Sequence, residues 1–248
     1  MDTSNSAVAI KSKERVQKHG EVFTPDSIVN DMLELTDKEL KGIDAEGNIL
    51  ELHGEADIKK YIDTTYLEPA CGNGNFLIRI LDRKLEGVQM LDVSEQKEWL
   101  VHAVASIYGV DIQLDNVLES RARMLELIKN GRVDVMDLEN RDKQPWRFKA
   151  IDLEPDVERV IKFILEKNII HANCLSGHLC NAAGETEEPL LFAEYTWKDG
   201  KVSVRGSGIT DIYDSETDDF FENNGRFVDF NMIDTLNFTY SDAVDDDF

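Results

Sequence analysis

The chain has 248 residues, enough for one large domain or two small ones, and 42% of them are hydrophobic, which supplies a sizeable core. Its 50 acidic residues against 27 basic ones leave a net charge of −23, so the chain alone is a poor binder of the DNA backbone; a DNA role needs a local basic patch, a partner or charge mimicry. Three cysteines give no paired framework, the first ten residues lack a basic-then-apolar leader, and no apolar run approaches the ~18 residues of a membrane span; these features predict a reduced, soluble, cytoplasmic protein with no membrane partner.

In chain order, residues 1–18 are polar and mixed in charge and read as a loose arm or a short helix. Thr24-Pro25-Asp26 starts a helix, with Thr24 as N-cap and Pro25 at the first helical position, and Ile28, Val29, Met32, Leu33 and Leu35 follow at helical spacing. Residues 37–57 are polar and glycine-bearing, with a short strand over 48–52. Residues 64–67 are β-rich and end at a glycine loop, Glu68-Pro69-Ala70-Cys71-Gly72-Asn73-Gly74-Asn75-Phe76, which opens a buried helix. A helix over 99–107 leads to a strand over 108–112, and 116–129 is strongly helical. A charged insertion covers 131–155, a further helix 157–166 and a further strand 168–173. Residues 195–204 form a hairpin with Asp199-Gly200 at its turn. Residues 211–248 carry 12 acids and one base, Arg226, yet keep phenylalanines that a purely solvated tail would not need. Strands alternating with helices predict an α/β, doubly wound domain with a mainly parallel sheet. The chain divides into an arm (1–18), a ligand-binding domain (19–180) and a β-rich acidic section (181–248).

In such sheets, ligands sit at the carboxyl ends of the strands. Glycines in the first loop let backbone approach a ligand, the helix behind it offers free N–H groups, and Glu68 before the turn repels phosphate and favours a cationic or donor-bearing head. Asp111, ending the second strand, suits the two hydroxyls of a ribose, and Asn173, ending the third, suits an adenine edge. S-adenosylmethionine, with its sulfonium and α-ammonium, fits that set. Phe23 and Thr24 stand where they could close over its amino-acid end. His171, Cys174, His178 and Cys180 crowd together, but their spacing matches no usual zinc pattern.

These segments resemble the γ-type adenine-N6 DNA methyltransferases of restriction–modification systems. The likeness rests on Gly20-Glu21-Val22-Phe23-Thr24-Pro25, on the Glu68–Phe76 loop and on Tyr108-Gly109-Val110-Asp111-Ile112, in the family's order and over residues 15–180. It implies a Rossmann-like class I methyltransferase fold with an acidic C-terminal extension, and S-adenosylmethionine as cofactor. The implied cofactor contacts are Phe23, Thr24, Glu68, Ala70, Cys71, Gly72, Gly74, Phe76, Asp111, Ile112 and Asn173. The last stands where the family usually carries an Asp.

The family transfers its methyl group with an Asn/Asp-Pro-Pro-aromatic loop that holds a flipped adenine. The five prolines here (Pro25, Pro69, Pro145, Pro155, Pro189) are all isolated, so that loop is absent and no catalytic residue is assigned. The expectation is a split or truncated enzyme whose second polypeptide supplies the catalytic and target-recognition parts, docking on the sheet edge beyond the third strand. DNA is then reached only through that partner. Two other readings stand beside it: a non-catalytic methyltransferase-like regulator or anti-restriction protein that mimics DNA with its acidic tail, and a small-molecule or protein methyltransferase.

Overall fold

The computed structural model describes residues 10–19, 21–131, 149–198, 201–208 and 228–231. Helices α1 (Lys13–His19), α2 (Asp26–Lys41) and α3 (Glu55–Asp63) precede strand β1 (Tyr66–Glu68). Helices α4 (Asn75–Met90) and α5 (Val93–Ala105) lead to β2 (Ile107–Asp111), and α6 (Leu114–Asn130) and α7 (Pro155–Asn168) lead to β3 (Ile169–Asn173). The three strands are parallel, with Tyr66 opposite Ile107 and Gly109 opposite Ile169. A hairpin, β4 (His178–Asn181) and β5 (Gly184–Pro189), then extends the sheet antiparallel, giving the order β1-β2-β3-β4-β5. A separate antiparallel sheet holds β6 (Leu191–Lys198), β7 (Lys201–Gly208) and β8 (Val228–Asn231).

The protein is therefore α/β, but its main sheet is mixed where the sequence predicted a mainly parallel one. Nor is it doubly wound among the described residues. The strands are laid down in one direction, β1 to β2 to β3, and the connecting helices α4 to α7 bury their apolar residues in one shared core cluster. Alternation along the strands agrees. Ile107 and Ile169 point into the core built by α2 to α7, while Val110 and Ala172 point the other way and pack on Leu190 and Phe192. The Tyr108 hydroxyl fastens this second layer by donating to the Ala193 carbonyl at 2.6 Å. The edge beyond β3, predicted to be open for a partner, is covered by β4; among the described residues the edge strands of this sheet are β1 and β5.

Local chemistry explains the elements. α4 sinks Leu77, Ile78, Leu81, Leu85 and Val88 into the core and starts at Gly74, whose φ of 87° no side chain tolerates well. α7 has Pro155 in its first turn, where its missing N–H costs nothing. α2 begins at Asp26, so Pro25, not Thr24, is the residue before the first turn, and no side chain caps it. The strand expected at 48–52 is reduced to one antiparallel bridge between Ile43 and Ile49. The hairpin appears as β6 and β7, with Lys198 opposite Lys201; Asp199 and Gly200 at its turn lie outside the described residues. So do Gly20 and most of the charged insertion.

A layer of buried charge joins α2 to α4. The Arg79 fork donates to both oxygens of Asp26, Nε to Oδ1 and Nη2 to Oδ2, each at 2.6 Å. Arg83 donates to Asp37 at 3.2 Å and to Asn30 at 3.1 Å, and the Tyr61 hydroxyl donates to Asp37 at 2.7 Å. Lys84 is buried too, with its amine against the carbonyls of Ile62 and Thr64 and the Ser106 hydroxyl. Among the described residues, no helix is long and apolar enough to cross a membrane.

Candidate ligand-binding cleft

The carboxyl ends of β1, β2 and β3 open on one cleft of about 500 Å³. Six of the residues singled out from sequence line it: Phe23, Ala70, Gly72, Asp111, Ile112 and Asn173. The parallel register sets this up, because it ends three strands at one level and turns each following loop the same way.

Asp111 is the centre of the arrangement. Its Oδ2 accepts the Gly72 N–H at 2.9 Å, and its Oδ1 accepts the Gln113 N–H at 2.7 Å and the Asn116 side-chain amide at 3.2 Å. One carboxylate thus binds the glycine loop after β1 to the loop after β2. Gly72 can meet it only because it lacks a Cβ: φ is 54°, and an added carbon would sit 3.0 Å from the Phe23 ring. That contact presses the buried Phe23 against the loop and makes it part of the wall.

The other predicted residues stand behind the cleft surface. The Glu68 carboxylate accepts the Ala70 N–H at 3.2 Å, and burial holds its pKa above the ordinary carboxylate value. Cys71 is buried under the loop; burial, and then the charge of Asp111, push its thiol pKa far up, so it is an inert packing group. Gly74 serves helix packing, since a Cβ there would meet the Ser120 hydroxyl at 2.9 Å. The Thr24 carbonyl accepts the Asn75 amide at 2.9 Å, which ties the start of α2 to the start of α4, and Phe76 packs on the core. Asn173 reaches the cleft, but its amide is engaged: Nδ2 donates to Glu185 at 2.7 Å, and Oδ1 accepts the Leu175 N–H at 3.1 Å. An adenine contact there has to exchange one of these bonds.

Sequence reading missed Glu21 and Asn116 as wall residues. Glu21 stands inside the Phe-Thr-Pro segment, and Asn116 lies one helical turn beyond Asp111, which was the available signal. Both are held by α1 and the residues just before it. Arg15 donates to Glu21 at 2.6 Å and to Asp115 at 2.6 Å. Lys11 bonds Asn116 at 2.7 Å, Glu119 at 2.7 Å and Asp115 at 3.0 Å. Arg15 first, then Lys11, hold the Asp115 carboxyl down to about 2.

Among the described residues the lining carries two carboxylates, Glu21, which Arg15 pairs from behind, and Asp111, and no Lys, Arg or His. It therefore disfavours phosphate and suits a ligand rich in donors or positive charge. Phe23 and Ile112 add apolar surface, and Leu175, fully exposed, stands at the rim. The Cys174 thiol in the lining has its pKa raised by burial. The His171 Nε2–H donates to the Ile112 carbonyl at 3.1 Å, and among the described residues no group of three or more His, Cys, Asp or Glu could hold a metal ion. No protein-family model, curated protein or solved structure matches the chain.

Proposed function

We propose that the cleft binds S-adenosylmethionine and that the chain, a Rossmann-like class I domain, is the donor-holding part of a DNA adenine-N6 methyltransferase of a restriction–modification system. The observation that carries this reading is the composition of one cleft. It gathers Phe23, Ala70, Gly72 and Asp111 around a space within the ~300–1,000 Å³ range of small-molecule sites, with carboxylates and, among the described residues, no cation on its walls. Bound there, the cofactor supplies an electrophilic methyl group. Asp111 would accept one ribose hydroxyl on the Oδ2 lone pair that Gly72 leaves free and the other in exchange for the Asn116 amide, its charge would favour the sulfonium and ammonium while Glu21 stays paired with Arg15, and Ile112 would lie against the adenine. A second polypeptide would bring the acceptor loop, because no two prolines of this chain are adjacent.

Calorimetric titration of S-adenosylmethionine tests the site. Wild type is expected to bind, and Asp111→Asn to lose at least about tenfold in affinity, since a hydrogen bond to a charged group contributes ~1.5–3 kcal/mol. No heat with wild type would end the donor-site reading. Methyl transfer to plain DNA by the pure chain would end the divided-enzyme reading. The isolated prolines also favour a second reading, a non-catalytic regulator or anti-restriction protein. Transfer that stays at zero when a methyltransferase bearing the acceptor loop is added, together with inhibition of that enzyme, selects it.

A further inference from the structure

Helix α2 is amphipathic in the reverse sense. Its inward side buries Asp26, Asn30 and Asp37 beside Val29 and Leu33, and the three polar groups are bonded by Arg79, Arg83 and Tyr61. Its outward side carries Ile28, Met32 and Leu35, which are 48%, 50% and 63% exposed. Their i, i+4, i+7 spacing makes one straight stripe, ~10 Å long at 1.5 Å per residue and directly opposite the buried side. Exposed apolar residues scattered singly call for no explanation. Three in line, on a helix that has spent its inward face on charge, do.

We propose that this stripe is the docking surface for an amphipathic helix of another polypeptide, one with apolar residues at matching i, i+4, i+7 positions and lysines or arginines beside them. The charge pattern selects that occupant. Asp31, Glu34 and Glu39 are exposed on α2 against Lys38 alone outside the partly covered Lys41. A second copy would set these acids against themselves and bring two chains of net charge −23 together. The chain's own residues 211–248, with 12 acids and one base, carry the same sign. Three side chains also fall well short of the ~800 Å² per partner that a stable dimer buries, whereas two helical turns suffice for a helix laid on a stripe. The inference is independent of what the cleft holds.

The probe is a fluorescein-labelled helical peptide with leucines at i, i+4 and i+7 and lysines on both flanks, titrated with the full chain and followed by anisotropy. Binding is expected, and Met32→Ser and, separately, Leu35→Gln should each weaken it by at least about tenfold, the effect of withdrawing one large apolar contact. Neither variant changes the protein's charge, so peptide bound merely by the acidic surface would be unaffected by them. Urea midpoints equal to wild type certify the fold of these exposed variants. Equal affinity of wild type and both variants, or equal binding of a peptide with glutamates in place of the lysines, overturns the proposal. So does dimerisation in sedimentation that Leu35→Gln abolishes, which assigns the stripe to a second copy. Binding of a synthetic peptide of residues 211–248 to the full chain as tightly as the lysine-flanked probe overturns it too, because the chain's own tail is then the occupant.

Discussion

Replacing Arg79 with Met tests whether the charge layer under α2 holds the protein together. Arg79 is 2% exposed and Asp26 is 5% exposed, so the substitution leaves a carboxylate in the interior whose remaining side-chain hydrogen bond among the described residues is the Asn30 amide at 3.4 Å, with the more distant Arg123 charge its electrostatic neighbour. Asp82, whose carboxylate lies 3.8 Å from the Arg79 guanidinium, loses that neighbour as well. Breaking a buried pair from one side costs ~3–5 kcal/mol, a large part of a typical ~5–15 kcal/mol stability. At a urea slope of about 2 kcal/mol/M the unfolding midpoint should fall by ~1.5–2.5 M. The double variant Asp26→Asn/Arg79→Met removes the stranded charge and should recover at least about 2 kcal/mol of that loss. Urea unfolding followed by circular dichroism measures all four corners of the cycle. A cost below about 1 kcal/mol for Arg79→Met, or strictly additive single variants, would refute the account of α2 as a helix anchored by charge.

Two further expectations concern the loop and the buried amine. Gly74→Ala forces φ of 87° on a residue with a Cβ and drives that carbon against Ser120 Oγ at 2.9 Å and its Cα at 3.2 Å. The left-handed conformation alone costs ~1–2 kcal/mol, so the melting temperature should fall by about 2–8 °C, and an unchanged melting curve would contradict the packing role given to this glycine. Burial pushes the Lys84 ammonium down to about 7 from an ordinary 10.5. Between those values the unfolded chain holds a proton that the folded chain lacks. Stability should therefore rise with pH from about 7 towards 10.5, by up to ~1.4 kcal/mol per unit, and this contribution should be missing below 7. Urea midpoints at pH 7, 8 and 9 for wild type and Lys84→Met check this; parallel slopes for the two proteins would show that Lys84 is not the titrating group.

What the sequence made legible was local. The β-rich run before Glu68, the glycines with positive φ and the polar residues ending β2 and β3 are written within a few positions of where they act, and they led to the cleft. The winding was not legible, because it depends on strand order, which no local pattern encodes. The β4–β5 hairpin was invisible for a different reason: Gly184–Pro189 is solvent-facing and shows no apolar alternation. Arg79, Asp82, Arg83 and Lys84 look like the wet side of a helix, and only partners such as Asp26, 53 positions away, reveal that they are interior. Helix α3 has no counterpart in the sequence reading, where 37–57 is polar and 58–63 is left without an element, since only Ile58, Tyr61 and Ile62 mark its buried side. Within the loop, residue type predicted proximity to the cleft but not role: Cys71 and Gly74 turn out to face helices rather than the open space.

The wall formed by Glu21 and Phe23 is attached to the body in two unlike ways. Phe23 is seated by contact with Gly72, which dissolved ions do not touch. Lys11 and Arg15, by contrast, grip Asp115, Glu119 and Glu21 through partly exposed ion pairs. Such attractions weaken as the Debye length shrinks from ~8 Å at physiological salt to ~3 Å at 1 M, while the apolar core does not loosen. The order of this wall is thus set by the ionic strength of the solution, and the order of the sheet behind it is not. An affinity measured at two salt concentrations would report the wall's fastening as well as the ligand's own charge, so only titrations at one ionic strength compare variants of the cleft on equal terms.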